Sequence, residues 1–327
     1  MNDDSVDRKP SSLTLDELLP RLRCPVSGGR LRIVGGSLET DDGSHRYEMR
    51  ADGIADLFCP PERLILDIPW YEPWDDLDAL PLSKPAGIRP SDLPYHLHPE
   101  LAAVPGETGD GRSVIEVGCG ERQCDAYFTR RGFSYVGVDA DVRGIGPHLL
   151  ADAHNLPFES ESFDFYTSMA VYEHLVSPLQ AASEAFRLLK PGGTFFGSSA
   201  FVYMFHDRAS FHHMSHGGLL WTLRMAGFTV ERMWSDWAYP NAIAEMGFGE
   251  GAGRPWRLLA QGGLSFLDKT FVWSSQATRK LIGKKPLDID AREVERAGSI
   301  SFIAHKPAGQ DAQAKDDHGP ACEADST

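Results

Sequence analysis

The most chemically loaded stretch of this 327-residue chain is AFVYMFHDRASFHHMSH, residues 200–216, where His206, His212, His213 and His216 crowd among aromatics. An imidazole titrates near neutrality, so one of these rings can take the proton from a hydroxyl nucleophile. Dense histidines can also ligate metal, but no supporting carboxylate motif such as HExxH accompanies them. The stretch therefore reads as a substrate loop with one histidine near the nucleophile and no metal. Upstream, Tyr172-Glu173-His174-Leu175 offers a further imidazole. The expected bases are His174 and His213, with Tyr172, Phe201, His206 and His212 expected to touch the acceptor.

A second set of residues has a different chemistry. Val114 to Asp141 reads VIEVGCGERQCDAYFTRRGFSYVGVDAD. Gly118, Cys119 and Gly120 form a turn whose glycines let backbone approach a ligand that a Cβ would exclude. Asp139 can accept hydrogen bonds from ribose hydroxyls. The elements needed to hold these groups are written into the same stretch. Val114–Val117 and Tyr135–Val138 are short apolar runs of buried-strand length, and a helical segment with Tyr127 and Phe128 lies between them, stopped at Arg130-Arg131-Gly132. Strand, glycine turn, helix, strand and acid make half of a mononucleotide-binding unit. The dinucleotide fingerprint would place its third glycine at position 123, where this chain has Gln123.

The motifs downstream come in a definite order. Asp152-Ala153 precedes Leu156-Pro157-Phe158, then Ser162-Phe163-Asp164, the Tyr172–Leu175 motif, and Leu189-Lys190-Pro191-Gly192-Gly193. In this order and spacing the chain resembles class I S-adenosylmethionine-dependent methyltransferases of the ubiquinone/menaquinone-methyltransferase-like group, over roughly residues 112–233 and again near Ile300. The resemblance implies an α/β, Rossmann-like sheet of seven strands. It also implies S-adenosyl-L-methionine as cofactor, held by Glu116, Gly118, Cys119, Gly120, Asp139, Ala140, Asp152, Ala153 and Ala170. In that scheme Glu116 serves the methionine amino group and Asp152 lies near the adenine. Arg122 stands where a glycine is often found and would crowd the methionine end.

The rest of the chain divides by composition. Residues 1–20 read as disordered or briefly helical. Residues 21–60 alternate short apolar runs with Gly28-Gly29, Gly35-Gly36 and Asp42-Gly43, as in a small antiparallel module. Its Cys24-Pro25 start resembles the Trm112-like, zinc-ribbon-type domain of some methyltransferases. Ser27 stands where a CxxC pair would continue, leaving Cys24, His45 and Cys59 as donors for a degenerate site. Residues 61–111 are proline-rich with Trp70, Tyr71, Trp74 and Tyr95, a strap or lid. The transferase domain spans 112–307, with an insertion at about 235–298 whose Trp237, Tyr239, Trp256, Phe266, Phe271 and Trp273 are expected to help form the acceptor pocket or a subunit contact. Between Asp139 and the third strand at His148–Ala151 the gap is too short for the usual crossover helix. A disordered tail runs from 308.

Charge narrows the substrate. A net charge of −15 opposes a nucleic-acid acceptor over most of the surface. Five scattered cysteines give no disulfide framework, the N-terminus is unlike a signal peptide, and no run of about 18 apolar residues occurs. The expectation is a cytoplasmic enzyme, free to form homo-oligomers, methylating a small-molecule hydroxyl. An RNA or protein methyltransferase recruited through the N-terminal module, and a non-catalytic scaffold, are the rival readings.

Overall fold

The computed structural model describes residues 14–62, 81–84, 93–94, 97–203, 206, 210–238, 242–243, 246, 254–286 and 296–309. Most of the proline-rich strap, with Trp70, Tyr71, Trp74 and Tyr95, lies outside these residues, as do Asp207, Tyr239, the first thirteen residues and most of the tail.

Helix α1, Leu15–Leu18, is one turn long and held by a capping box between Thr14 and Glu17. Next comes an antiparallel three-stranded sheet, made of β1 (Leu31–Val34), β2 (Ser37–Thr40) and β3 (Arg46–Glu48). Val34 pairs with Ser37, so Gly35 and Gly36 are the two turn residues, and both have positive φ. A two-residue hairpin turn that matches strand twist requires that conformation, which is why glycines occupy it.

The main sheet begins with β4, Ala55–Asp56, contributed by the N-terminal segment. Helix α2 (Pro99–Ala103) precedes β5 (Ser113–Val117), buried along its whole length. Then come α3 (Asp125–Thr129), β6 (Ser134–Asp139), β7 (Leu149–Leu150) and β8 (Phe163–Met169). A 3-10 turn at Tyr172–His174 leads to α4 (Pro178–Leu188), capped by Ser177 with Pro178 at its first position, and on to β9 (Leu189–Ala200). The remaining elements are α5 (His216–Met225), β10 (Thr229–Ala238), α6 (Arg254–Leu281) and β11 (Ala297–His305).

The strand order is β10-β11-β9-β8-β5-β6-β7-β4. Pairs from β4 through β9 are parallel, whereas β11 runs antiparallel to both β9 and β10. From β5 the chain builds outward through β6 and β7, then returns to add β8 on the other side. That reversal opens a crevice at the carboxyl ends of β5 and β8, where ligands of such sheets bind. Asp164 ties the base of the switch: it accepts from the Ser113 amide at 2.9 Å, the Ser113 hydroxyl at 2.8 Å and Lys190 Nζ at 2.8 Å.

Two features depart from a plain seven-stranded sheet. The β6–β7 connection contains no helix; Gly144 and Gly146 turn the chain in left-handed conformation instead. The eighth strand, β4, pairs in parallel with the outer edge of β7, Ala55 opposite Leu149 and Asp56 opposite Leu150. The N-terminal module is thus stitched to the main domain. Asn155 donates to the carbonyls of Pro25 (3.0 Å) and Cys59 (2.9 Å), the Arg23 amide donates to Pro157 O, and Arg23 pairs with Glu159 at 2.7 Å.

Among the described residues Cys24, His45 and Cys59 do not form a three-donor cluster, although Cys24 is near enough to Cys59 to add to the effect of burial in raising the Cys59 pKa. The Cys24 thiol lies 2.9 Å from the Tyr47 hydroxyl and accepts from the Ser27 amide at 3.3 Å. His45 is engaged by the Ser44 hydroxyl at 2.8 Å. Where a second cysteine would have supplied a ligand, Ser27 supplies a backbone N–H.

Candidate active site

The left half of the crevice lies at the tips of β5, β6 and β7. Gly118 and Gly120 both have positive φ, 78° and 52°, but for different reasons. A Cβ on Gly118 would run into the Val171 side chain, whereas one on Gly120 would meet nothing within 4 Å. Gly118 serves packing, and Gly120 faces open space. Asp139 closes this cradle: its Oδ2 accepts from the Gly120 amide at 2.8 Å and its Oδ1 from the Asp141 amide at 3.1 Å. Each carboxylate oxygen carries two lone pairs, so acceptor capacity remains beside the open space. Ala140 is the next residue, exposed. Cys119 turns its thiol inward against Gly137, where burial raises its pKa well above the ordinary value; only its backbone can serve a ligand.

Glu116, at 4% exposure, receives a hydrogen bond from the Tyr135 hydroxyl. Burial is the main influence on this carboxyl and pushes its pKa up to about 7, against the Tyr135 and Cys124 hydrogen bonds that pull it down. Arg122 does not crowd the cradle. Its own backbone is left-handed, φ 53°, and its side chain crosses Gly137 to donate to Gly146 O at 2.7 Å, with Nη1 2.5 Å from His148 Nε2. It also pairs with Asp125 at 3.4 Å. This side chain covers the stretch of β6 that a crossover helix would have covered. Burial first, then the guanidinium, hold the His148 pKa at about 3, so that imidazole is neutral.

Asp152 lies at the end of β7, half-buried. Its Oδ1 accepts from the His154 amide at 2.8 Å and from His154 Nδ1 at 2.6 Å. The Ser177 amide donates to His154 Nε2 at 3.1 Å, which fixes the tautomer: the ring proton is on Nδ1, facing Asp152. Burial opposes ionisation of Asp152, but the His154 bonds outweigh it and lower its pKa. Ala153 packs against the core next to it.

The right half lies beyond β8 and β9. Ala170, left-handed at φ 52°, ends β8 with its amide on Ser198 O. The turn beyond it buries Tyr172 against Phe195 in the core, ring centroids 5.7 Å apart, so the Tyr172 side chain points away from the acceptor side where the sequence pattern had placed it. Its neighbours do converge there. The His174 and His206 rings are 4.8 Å apart, Tyr203 and His206 4.9 Å, and His206 and His213 5.9 Å. Glu173, 1% exposed, completes the group; it accepts from Ser199 Oγ at 3.3 Å, and its backbone carbonyl accepts from the amides of Phe211 and His212. Burial raises its carboxyl pKa above the ordinary range, against the backbone amides and the pull of His174 and His206.

Ser210 Oγ donates to the His206 carbonyl and lies 2.9 Å from His206 Nδ1, which puts the imidazole lone pair on Nε2. His213 is half-buried, and its Nε2 is enclosed without a hydrogen-bond partner. Burial, then the charges of His206 and His174, lower the His213 pKa, leaving it neutral at physiological pH. His212 stands apart, its Nε2 on Val176 O at 3.1 Å, and the Phe201 ring packs on His216 at 5.6 Å. Ligand atoms of Glu173, His174 and His206 lie within 4.8 Å of one another. That limit admits a hydrogen-bonded relay as well as a coordination shell, whose donors sit about 3.4 Å apart at tetrahedral bond lengths of about 2.1 Å.

Sequence reasoning missed Glu173, although its place beside His174 at a strand end was a signal. It also missed Tyr135 as the partner of Glu116. Among the described aromatics of the insertion, Trp256, Phe266 and Trp273 are 65%, 69% and 73% exposed on α6.

With this geometry in view, the kinship of the chain is informative. The family described as Methyltransferase domain (Methyltransf_11) matches residues 115–197. An uncharacterized methyltransferase of Mycobacterium sp. (strain KMS) is 38% identical over 95 residues, covering 26% of this chain and 38% of the relative. One of Mycolicibacterium paratuberculosis is 35% identical over 99 residues, covering 27% and 39%. The chain therefore spans about two fifths of the length of the curated relatives it matches. Among solved structures, an S-adenosylmethionine dependent methyltransferase from Mesorhizobium loti is 18% identical with a TM-score of 0.41, covering 64% of this chain and 97% of the other. A Haemonchus contortus phosphoethanolamine N-methyltransferase 2 is likewise 18% identical, TM-score 0.37, covering 62% and 50%. Likeness at that level speaks neither to substrate nor to mechanism. The family match, however, spans the glycine cradle, Asp139, Asp152 and the Glu173-His174 turn. Residues 115–197 of the chain are thus similar to the Methyltransferase domain family.

Proposed function

We propose that the protein is an S-adenosylmethionine-dependent methyltransferase acting on a hydroxyl oxygen of a small molecule. The reading rests above all on the open glycine cradle flanked by Asp139 at the tips of β5 and β6, and it is supported by an imidazole in the loop after β9 whose enclosed Nε2 has no partner.

The cradle residues fit the cofactor. Asp139 has acceptor capacity for two vicinal ribose hydroxyls, Asp152 is held ionised and oriented by His154, and Glu116 offers an acid beneath the turn. Bound S-adenosylmethionine supplies a methyl group on a sulfonium whose departure leaves a neutral thioether. The remaining work belongs to the chain, which must orient and desolvate the nucleophile. His213 Nε2 takes the hydroxyl proton as the oxygen becomes nucleophilic, and the imidazolium so formed releases that proton to solvent to complete the cycle. His174 is the second candidate for that role.

A small acceptor is favoured over RNA because the chain as a whole carries −15. The N-terminal module, in its Trm112-like reading, acts as an intramolecular brace: Asn155 and Arg23 fasten it to the loop after Asp152. The finer kinship with ubiquinone/menaquinone methyltransferases rests on the motif order alone.

Calorimetric titration of the purified chain with S-adenosylmethionine and S-adenosylhomocysteine tests the proposal. Dissociation constants in the micromolar range are expected for both, weakened at least tenfold by Asp139→Ala. A folded protein that binds neither ligand sinks the reading.

A further inference from the structure

Helix α6 turns its bulkiest apolar side chains outward. At 3.6 residues per turn, Trp256, Leu259, Phe266, Leu267, Trp273 and Leu281 fall within an arc of about 120°. Each of the six is more than 60% exposed. Gln261, Ser265, Asp268, Ser275, Gln276 and Arg279 fall on the opposite side, within an arc of about 100°, and all six are half-buried, together with the smaller apolar residues Ala260, Leu264 and Val272. Asp268 on this inner arc pairs with Arg296, just ahead of β11, at 2.5 Å. A helix that packs on its own domain normally does the reverse, covering its apolar stripe and exposing its charges. A contiguous stripe of two tryptophans, a phenylalanine and three leucines left outward marks an interaction surface.

The charge of the segment says what kind of surface it meets. Residues 254–286 hold seven arginines and lysines against one acid, Asp268, within a chain of net charge −15. Lys269, Lys280, Lys284 and Lys285 are exposed. A second copy of the helix would set seven cations against seven. A nucleic acid would satisfy the lysines but offers no apolar phase for Trp273 or Leu281. A membrane surface with anionic headgroups satisfies both halves: acyl chains take the stripe, tryptophans sit at the headgroup boundary, and lysines pair with lipid phosphates. No helix among the described residues is long and apolar enough to cross a membrane, so α6 would lie in the plane of the interface. We propose that α6 docks this protein on an anionic lipid surface.

The experiment is vesicle co-sedimentation of the full-length chain, which reads binding and is independent of methyl transfer. The vesicles are phosphatidylcholine alone and phosphatidylcholine mixed with phosphatidylglycerol, each at low and high salt. Binding to the mixed vesicles is expected to exceed binding to the neutral ones by at least about tenfold and to fall with salt. The pair Phe266→Asp/Trp273→Asp should abolish it with an unchanged far-ultraviolet spectrum, since both side chains are exposed. The triple change Lys280→Glu/Lys284→Glu/Lys285→Glu should lower it about tenfold or more while the stripe stays intact. No sedimentation with either vesicle, or equal sedimentation with both, overturns the proposal. So does a dimer, seen by analytical ultracentrifugation and lost in the Phe266/Trp273 pair, in a protein that ignores vesicles; that result would assign the stripe to a second copy.

Discussion

The two halves of the crevice are built on different physical terms. At the β5–β7 tips every acid is already held: Asp139 by two backbone amides, Asp152 by His154, Glu116 by Tyr135. The groups that hold them lie within about twenty residues, and two left-handed glycines fix the path of the turn between them. At the β8–β9 tips the imidazoles come from two separate segments, the turn after β8 and the β9–α5 loop, meet at ring distances of 4.8 to 5.9 Å, and leave the His213 nitrogen enclosed without a partner. A preorganised half is complete before its ligand arrives; the other half is completed by its ligand. One domain can thus keep a fixed cofactor site while its acceptor side changes.

The sharpest test of this contrast is His213→Asn. If the acceptor half does the proton chemistry, kcat should fall about a hundredfold or more while the dissociation constant for S-adenosylmethionine stays within twofold. A parallel loss of cofactor affinity would break the division. The pair Gly118→Ala and Gly120→Ala probes the rigid half next. Gly118→Ala meets Val171 from a left-handed backbone and should cost about 3 kcal/mol in denaturant unfolding. Gly120→Ala enters open space and should cost only about 1 kcal/mol, yet weaken cofactor binding. Equal stability losses would show that the cradle is not open.

A further test concerns pH. Burial raises the Glu116 pKa from 4.5 to about 7 in the folded chain. Unfolded Glu116 releases its proton as pH passes 4.5, the folded residue only near 7. Its contribution to stability is full below 4.5, declines between the two values, and stays lost above 7. Glu116→Gln removes that decline, so between pH 4 and pH 8 the variant should lose about 3 kcal/mol less unfolding free energy than the parent. Parallel pH profiles of stability for the two proteins would refute the assignment.

Legibility in the sequence divides along the same line. The cradle could be read because its glycines, Asp139 and Asp152 are coded by spacing along one strand–turn–strand run, and β5 to β9 appear near their expected positions for the same reason. The histidines of 206–216 stood out by type, but which would meet depended on how the β9–α5 loop folds over the β8 turn. Tyr172 went astray because a 3-10 turn sends consecutive side chains in different directions, this one into the core beside Phe195. Arg122 was misjudged because a left-handed backbone swings its side chain under Gly137 and out of the cradle. In α6 the aromatic content was plain, and only the burial of the polar arc revealed which side faces out.

The N-terminal brace has a consequence for anyone who would trim this protein to its matched domain. Without β4, the outer backbone groups of β7 would be left with no hydrogen-bonding partner on that side, since no crossover helix shields them. A fragment starting at Arg112 would thus present a bare template for recruiting strands from its neighbours. It should express as aggregates or as edge-paired dimers, however intact its catalytic residues. The first sixty residues are in this sense a built-in solubility device, and restoring β4 as a separate peptide would be the direct way to rescue the fragment.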